Sequence, residues 1–271
     1  MKFIKIIGLL CLICFTFFYT EKIIDISIEQ DEIMTKIKEV ENTYNINAIN
    51  ATIKDNTIIP GNSGKQIDEQ SSYKAMKKIG YYDESLLVYS KVYPEISIYN
   101  NYNKYIIKGN TNSKNVALIY IISNDKTIDN VIDIIDNNKT YINFFIDSNF
   151  LNNNINILNK LNKYEVYNYG ANGKYTKDNL IITNNIINNK ANNNSTFCLF
   201  LNDDEVSLNN CINNKMLSIM PTIKGQYTSI TNNISSGSII LIENTQELAS
   251  IIKYINTKGY NNVALSKLIV E

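Results

Sequence analysis

Any acid–base chemistry in this chain has to be done without histidine. The 271-residue sequence contains no histidine, no tryptophan and no arginine, so every cationic side chain is a lysine. Ser-His and Cys-His nucleophile systems are thereby excluded, because both need an imidazole to take the nucleophile's proton. Carboxylates, tyrosines and four cysteines remain. Asp203 and Asp204 are adjacent in the loop after the strand-like run TFCLFL, where a solvated pair of charges is expected. Gly61 and Gly64, with Asn62 and Ser63 between them, have the glycine content of a phosphate loop. No strand leads in, however, and Lys65 is followed by Gln66 rather than Ser or Thr, so a turn is expected there. Tyr93, Tyr99, Tyr102 and Tyr105 cluster in KVYPEISIYNNYNKYII. The alternation of that segment reads as a half-exposed strand hairpinned to residues 105–108, with a sugar-stacking platform as the alternative. Cys198 and Cys211 either bridge or stay free, since a bridge needs their Cα atoms within about 7 Å.

Lys+Arg and Asp+Glu both number 26, so the net charge is zero and nothing points to nucleic acid as a partner. Residues 6–20 form an uncharged stretch preceded by Lys2 and Lys5 and followed by Glu21, Lys22 and Asp25. Its length fits a signal-peptide core or a short membrane anchor. Bulky Phe17, Phe18 and Tyr19 stand where a cleavage site wants small residues, which favours an uncleaved anchor. The positive-inside rule then puts the rest of the chain outside the cytoplasm. Cys11 and Cys14 lack the preceding small residue that lipid attachment needs, and read as apolar residues in lipid. Ile33, Ile37 and Val40 fall on one helical face, giving a short amphipathic stalk. The expected division is an anchor at 1–20, a stalk or linker at 21–55, a small extension with a hairpin at 56–114, and a main domain at 115–271. Asparagine is so frequent that the glycosylation sequons at Asn50, Asn138, Asn193, Asn194 and Asn233 are expected by chance.

Elements that could position a site begin at 116–122 (VALIYII), a continuous apolar run typical of a strand buried on both faces. Ile128, Val131, Ile132 and Ile135 then recur at helical spacing. Strands are expected at 141–147, 165–167, 196–201, 216–220 and 238–242, and helices at 150–161, 180–187 and 248–255, the last ended by Gly259. This alternation predicts an α/β domain, either a β/α barrel or an open doubly wound sheet.

The runs VALIYIISN, TYINFFIDSNFL, YEVYNYG, GSIILIENT and ELASIIKYINTKGYNNVALSKL, in that order, resemble the polysaccharide deacetylase family with its NodB-homology domain. The segment 60–82 resembles the piece that precedes this domain in some membrane-anchored bacterial members. The resemblance implies a distorted β/α barrel behind the anchor and stalk. It also implies a site with a divalent metal held by an aspartate and two histidines, an aspartate base and a histidine acid. Here the two aspartate positions hold Ile121 and Ile122, the two histidine ligands are matched by Tyr169 and Gly173, and the acid is matched by Glu243. Metal hydrolysis needs N or O ligands and an open position, and amide cleavage needs a proton donor. The expectation is a pseudoenzyme without metal or other cofactor, anchored in the cell envelope and binding cell-wall glycan or a protein. Glu243, Asn244, Asn168 and Tyr169 are the polar residues nearest the old site. The alternative is an active carbohydrate deacetylase acting on N-acetyl groups.

Overall fold

The computed structural model describes residues 2–124, 126–191 and 194–271. Asn193, one of the sequon positions, lies outside them. The chain opens with α1 (Lys2–Glu29) and α2 (Glu32–Tyr44), followed by β1 (Thr52–Lys54), β2 (Thr57–Ile59), β3 (Gly64–Ile67), α3 (Glu69–Lys77), β4 (Tyr89–Val92) and β5 (Tyr105–Ile106). Strand and helix then alternate: β6 (Asn115–Ile122), α4 (Ile128–Asn137), β7 (Asn143–Ile146), α5 (Ser148–Asn153), α6 (Ile157–Lys160), β8 (Val166–Asn168) and α7 (Lys177–Lys190). The last part comprises β9 (Phe197–Leu199), α8 (Glu205–Asn213), β10 (Leu217–Ile219), β11 (Ile223–Gly225), α9 (Tyr227–Asn233), β12 (Ile239–Ile242), α10 (Leu248–Thr257), β13 (Asn261–Asn262) and α11 (Leu265–Leu268). Two compact units result: the residues up to Ala48 with Ser63–Val92, and Ile49–Asn62 with Tyr93–Glu271.

In the first unit, α1 exposes Leu12, Phe15, Phe17, Phe18, Tyr19 and Ile23. Among the described residues no helix is long and apolar enough to cross a membrane. The spanning anchor expected at 1–20 is therefore not supported, because lysines and acidic residues close in on an apolar run shorter than the roughly 20 residues a span takes. The segment read as a stalk is packed. Ile33, Met34 and Ile37 of α2 are buried with Ile67, Tyr73, Met76 and Leu87. Asp31 caps α2 by accepting from the Ile33 amide at 2.9 Å, and pairs with Lys77 at 2.6 Å. The expected hairpin of the tyrosine-rich segment with residues 105–108 does not form. β4 instead pairs antiparallel with β3, and β5 lies in the second unit between β2 and β10, parallel to both. Gly64 is no simple turn residue: a Cβ there would lie 1.9 Å from the Ile46 carbonyl oxygen, the close approach made by an antiparallel bridge between Ile46 and Lys65.

In the second unit, β11-β12-β6-β7-β8 form a parallel sheet, and β1-β2-β5-β10-β9 form a mixed one in which β1 and β2 pair antiparallel and the other neighbours are parallel. Alternation along β6 explains its unbroken apolar run. Ala117 and Ile119 face an interior shared with Phe145, Tyr167, Leu199, Ile219 and Leu241, while Val116, Leu118 and Ile122 face outward against Val131, Leu151, Ile251 and Ile255 of the helices. The two sheets thus wrap one core in the manner of a split barrel. At the seam between β8 and β9, side chains replace the missing ladder. The Tyr167 ring packs between Phe145 and Phe197, each at 5.1 Å. The buried Tyr175 hydroxyl accepts from the Leu199 amide at 2.7 Å and reaches the Asn168 carbonyl at 3.1 Å. Cys198 of β9 and Cys211 of α8 are joined as a disulfide with Cα atoms 6.5 Å apart.

Candidate functional site

The positions singled out by the resemblance gather where the parallel strands end. β6 runs out at Ile121 and Ile122, β7 at Ile146 and Asp147, and β8 at Asn168 and Tyr169, with Ile122 paired to Ile146 and Ile146 to Asn168. Ile242 of β12 pairs with Tyr120, so Glu243 follows one step beyond. Side chains at the C-terminal ends of parallel strands point into loops that can carry chemistry, which is where a β/α barrel builds its sites.

The isoleucines do not share one environment. Ile121, like Tyr169 and Leu201, is partly buried and packs against the interior core. Ile122 is turned the other way, fully buried among Ile146, Leu151 and the helices. Only one of the two expected pocket positions therefore faces the mouth, because neighbouring residues of a strand point to opposite faces.

Tyr169 and Gly173 are brought together: a Cβ on Gly173 would lie 3.0 Å from the Tyr169 hydroxyl, and Gly173 has φ +78°. Both line a shallow depression of about 250 Å³ whose far wall is Leu201, Asn202, Asp203 and Asp204. Partial burial, reinforced by the charge of Asp147, holds the Tyr169 phenol above its ordinary range. Glu243 is exposed and does not line the depression; its Oε2 lies 3.0 Å from where a Cβ of Gly225 would be. Asn244 caps the short turn after β12, its Oδ1 accepting from the Gln246 amide at 3.0 Å.

Two expectations change here. Asn168 is fully buried and cannot face a ligand. Its amide nitrogen donates to Asn184 Oδ1 at 3.0 Å and to the Asn179 carbonyl at 3.2 Å, and its oxygen accepts from the Gly170 amide at 2.7 Å. The solvated pair expected at Asp203 and Asp204 holds only in part: Asp203 is exposed and Asp204 half-buried, but both are tied to neighbours. Asp203 accepts from the Tyr105 hydroxyl at 2.6 Å, an interaction that together with burial pushes that phenol up to about 12. Asp204 caps α8 through the Ser207 amide at 3.1 Å and pairs with Lys174 at 2.6 Å, and these contacts lower its pKa.

The residue most central to the mouth was missed by the sequence reading. Asp147, only 3% exposed, accepts from the amides of Asn149 (2.9 Å), Phe150 (3.1 Å) and Asn172 (2.6 Å). It both starts α5 and holds the loop bearing Tyr169 and Gly173. Its position before Ser148, after an apolar run, carries a helix-capping signal, but nothing local announces the bond to Asn172.

A metal site of the expected kind does not fit these side chains. Ile121, Ile122 and Gly173 offer no ligand atom, Tyr169 offers a phenol held protonated, and among the described residues no three His, Cys, Asp or Glu side chains are grouped to hold a metal ion.

No family model matches the chain. Among curated proteins it is similar to the uncharacterized protein YlxY of Bacillus subtilis, with 28% identity over 153 residues. That match covers 55% of this chain and 48% of the relative, so the chain spans about half the length of the curated relative it matches. Among solved structures it is similar to BA3943 of Bacillus anthracis, described as a CE4 family pseudoenzyme: 23% identity, TM-score 0.64, covering 89% of this chain and 96% of that one. A BA3943 mutant described as having restored enzymatic activity superposes with a TM-score of 0.65 at 21% identity, covering 89% of this chain and 99% of that one. At such identities the likeness speaks for fold alone. The chain has the α/β fold of the CE4 deacetylases.

Proposed function

We propose that the protein is a catalytically inactive deacetylase-fold protein of the cell envelope that binds instead of hydrolysing. The observation that carries this reading is the composition of the barrel mouth: Ile121, Tyr169 and Gly173 stand there, in a chain without histidine, and Ile122 points away from it. No combination of these groups lowers the pKa of a metal-bound water or protonates a leaving amine. The fold likeness to a pseudoenzyme supports it. The Cys198–Cys211 disulfide supports a location in an oxidising exterior. The exposed apolar side chains of α1, among them Leu12, Phe15 and Phe17, support attachment to a membrane surface. The ligand is cell-wall glycan gripped at the mouth, or an envelope protein.

Metal content and acetate release test the inactive reading. The purified chain is expected to carry no stoichiometric transition metal and to release no acetate from acetylated chitin or peptidoglycan fragments. One tightly held metal per chain, with activity lost on chelation, would overturn it. For the ligand, Tyr169→Ala combined with Glu243→Ala is expected to weaken binding of cell-wall oligosaccharides without unfolding the domain. If wild type and double mutant behave alike, the mouth is not where a glycan is held.

A further inference from the structure

The opposite end of the same barrel carries a groove that the proposed function does not use. It lies where β9 and β10 begin, has a volume of about 310 Å³, and is bounded by Tyr99, Tyr102, Thr196, Lys215, Ser266 and Val270 over a floor that includes Leu217. Tyr99 is 48% exposed and Val270 is 41% exposed, so apolar surface is open to water at one wall; buried Phe197, Leu217 and Ile269 also line the groove, and Thr196, Lys215 and Ser266 supply its polar groups.

The turn that presents Tyr99 is unusually well pinned for a surface loop. The Ser97 hydroxyl accepts from the Tyr99 amide at 3.0 Å, and the Asn101 side chain donates to the Ser97 carbonyl at 2.8 Å. The Glu271 carboxylate accepts from the Ile98 amide at 3.1 Å, from the Gly61 amide at 2.9 Å and from the Ser97 hydroxyl. A turn whose backbone is held this way need not reorder when a ligand settles on the ring it presents, which favours affinity.

We propose that this groove is a second binding site, for a neutral saccharide segment whose C–H face lies on the Tyr99 ring. The apolar face of a sugar ring suits a phenol, whose hydroxyl can also hydrogen-bond, and the sugar's hydroxyls would meet Thr196 and the Lys215 ammonium at the rim. Lys215 makes no ion pair among the described residues, leaving its donors for a ligand. Charge argues for a neutral ligand. The Glu271 carboxylate stands beside Tyr99 and, with burial, raises its phenol's pKa, so an anionic sugar would meet a negative group behind the platform. A single exposed lysine, screened by salt, does not offset that. The inference is independent of whether the C-terminal mouth binds glycan.

Titration of cellotetraose and chitotetraose into the full chain, in a zwitterionic detergent without a sugar head group, is the test. Tyr99→Ala is expected to weaken binding about fivefold or more, the loss of one stacking aromatic. Tyr81→Ala, which removes another exposed tyrosine that does not line the groove, is expected to leave this binding unchanged. Tyr99 is half exposed, so its removal should not unfold the domain, which circular dichroism checks. Unchanged affinity in Tyr99→Ala, or no binding to the wild type up to about 10 mM sugar, overturns the proposal. Loss of binding only in Tyr169→Ala also overturns it while supporting the mouth as the glycan site. Tighter binding of trigalacturonate than of the neutral tetramers overturns the neutral assignment.

Discussion

Placing aspartate back at each of the two isoleucines separates their roles. Ile122 is fully buried between the sheet and the helices, whereas Ile121 is partly exposed at the mouth. Truncating a buried isoleucine costs about 2–5 kcal/mol through lost burial and the cavity left behind. Ile122→Asp adds a carboxyl group in apolar surroundings, and burial raises such a pKa by as much as 3–5 units. The folded state then holds its proton to higher pH than the unfolded chain, which releases it near pH 4. Stability should therefore fall as pH rises above about 4, by about 1.4 kcal/mol per unit, and level off above the folded pKa. With a folded pKa near 7, the substitution costs about 3 kcal/mol at pH 4 and about 7 kcal/mol at pH 8, comparable with the whole stability of a domain. Ile121→Asp should cost about 1 kcal/mol with little dependence on pH, because water reaches the carboxylate. Urea unfolding followed by circular dichroism at several pH values measures both, with Ile122→Asn as a control that loses apolar burial but cannot titrate. Equal costs for the two aspartates, or a flat pH profile for Ile122→Asp, would refute the assignment of Ile122 to the outer face of the sheet.

Two further outcomes are expected. Replacing Cys198 and Cys211 with alanine removes a cross-link between residues 13 apart and should lower stability by about 3 kcal/mol on chain-entropy grounds, read as a shift in the urea midpoint; a shift under 1 kcal/mol would mean the bridge constrains little. At alkaline pH, Tyr105 and Tyr141 are held protonated to about 12, chiefly by burial, while an unfolded tyrosine ionises near 10. Their contribution is intact below pH 10 and is lost as pH rises toward 12, so unfolding should set in across that window together with the rise in tyrosinate absorbance; ionisation of all tyrosines near pH 10 in the folded protein would contradict it.

The strands buried on both faces were legible in the sequence, because double burial leaves an apolar run such as 116–122 with no competing interpretation. The closing helix was equally clear, since Leu248, Ile251, Ile252 and Ile255 are all buried where their spacing put them. The helix expected over 150–161 instead breaks at Asn154 into α5 and α6. Asparagine at every second or third position carries no periodic signal that could mark the break. β5 is two residues long and takes its identity from the partners on either side, which local pattern cannot supply. At the site, the residue types at 121, 122, 169, 173 and 243 were readable, but their orientation was not. A strand's last residues can face the mouth or the helices, and only the register of β6 against β7 and β12 decides which. The same limit hid Asn168 and Asp147: one polar residue among dozens of asparagines and aspartates shows no sign in sequence of being the buried one.

The interleaving of the two units along the chain has a practical meaning for dissection. Backbone passes between them after Ala48, after Asn62 and again after Val92, so neither is a single stretch that scissors could remove. A fragment starting at 115, the boundary that sequence similarity suggests, would discard β1, β2 and β5 and leave β10 with one bare edge of unpaired amides and carbonyls. Such an edge invites pairing between copies, so insolubility of that fragment would report a missing edge strand, not a faulty domain. A cut at 93 retains β5 but still strips away its neighbour β2. The shortest piece that keeps this sheet whole begins before Thr52, and it necessarily carries residues 63–92 of the other unit within it.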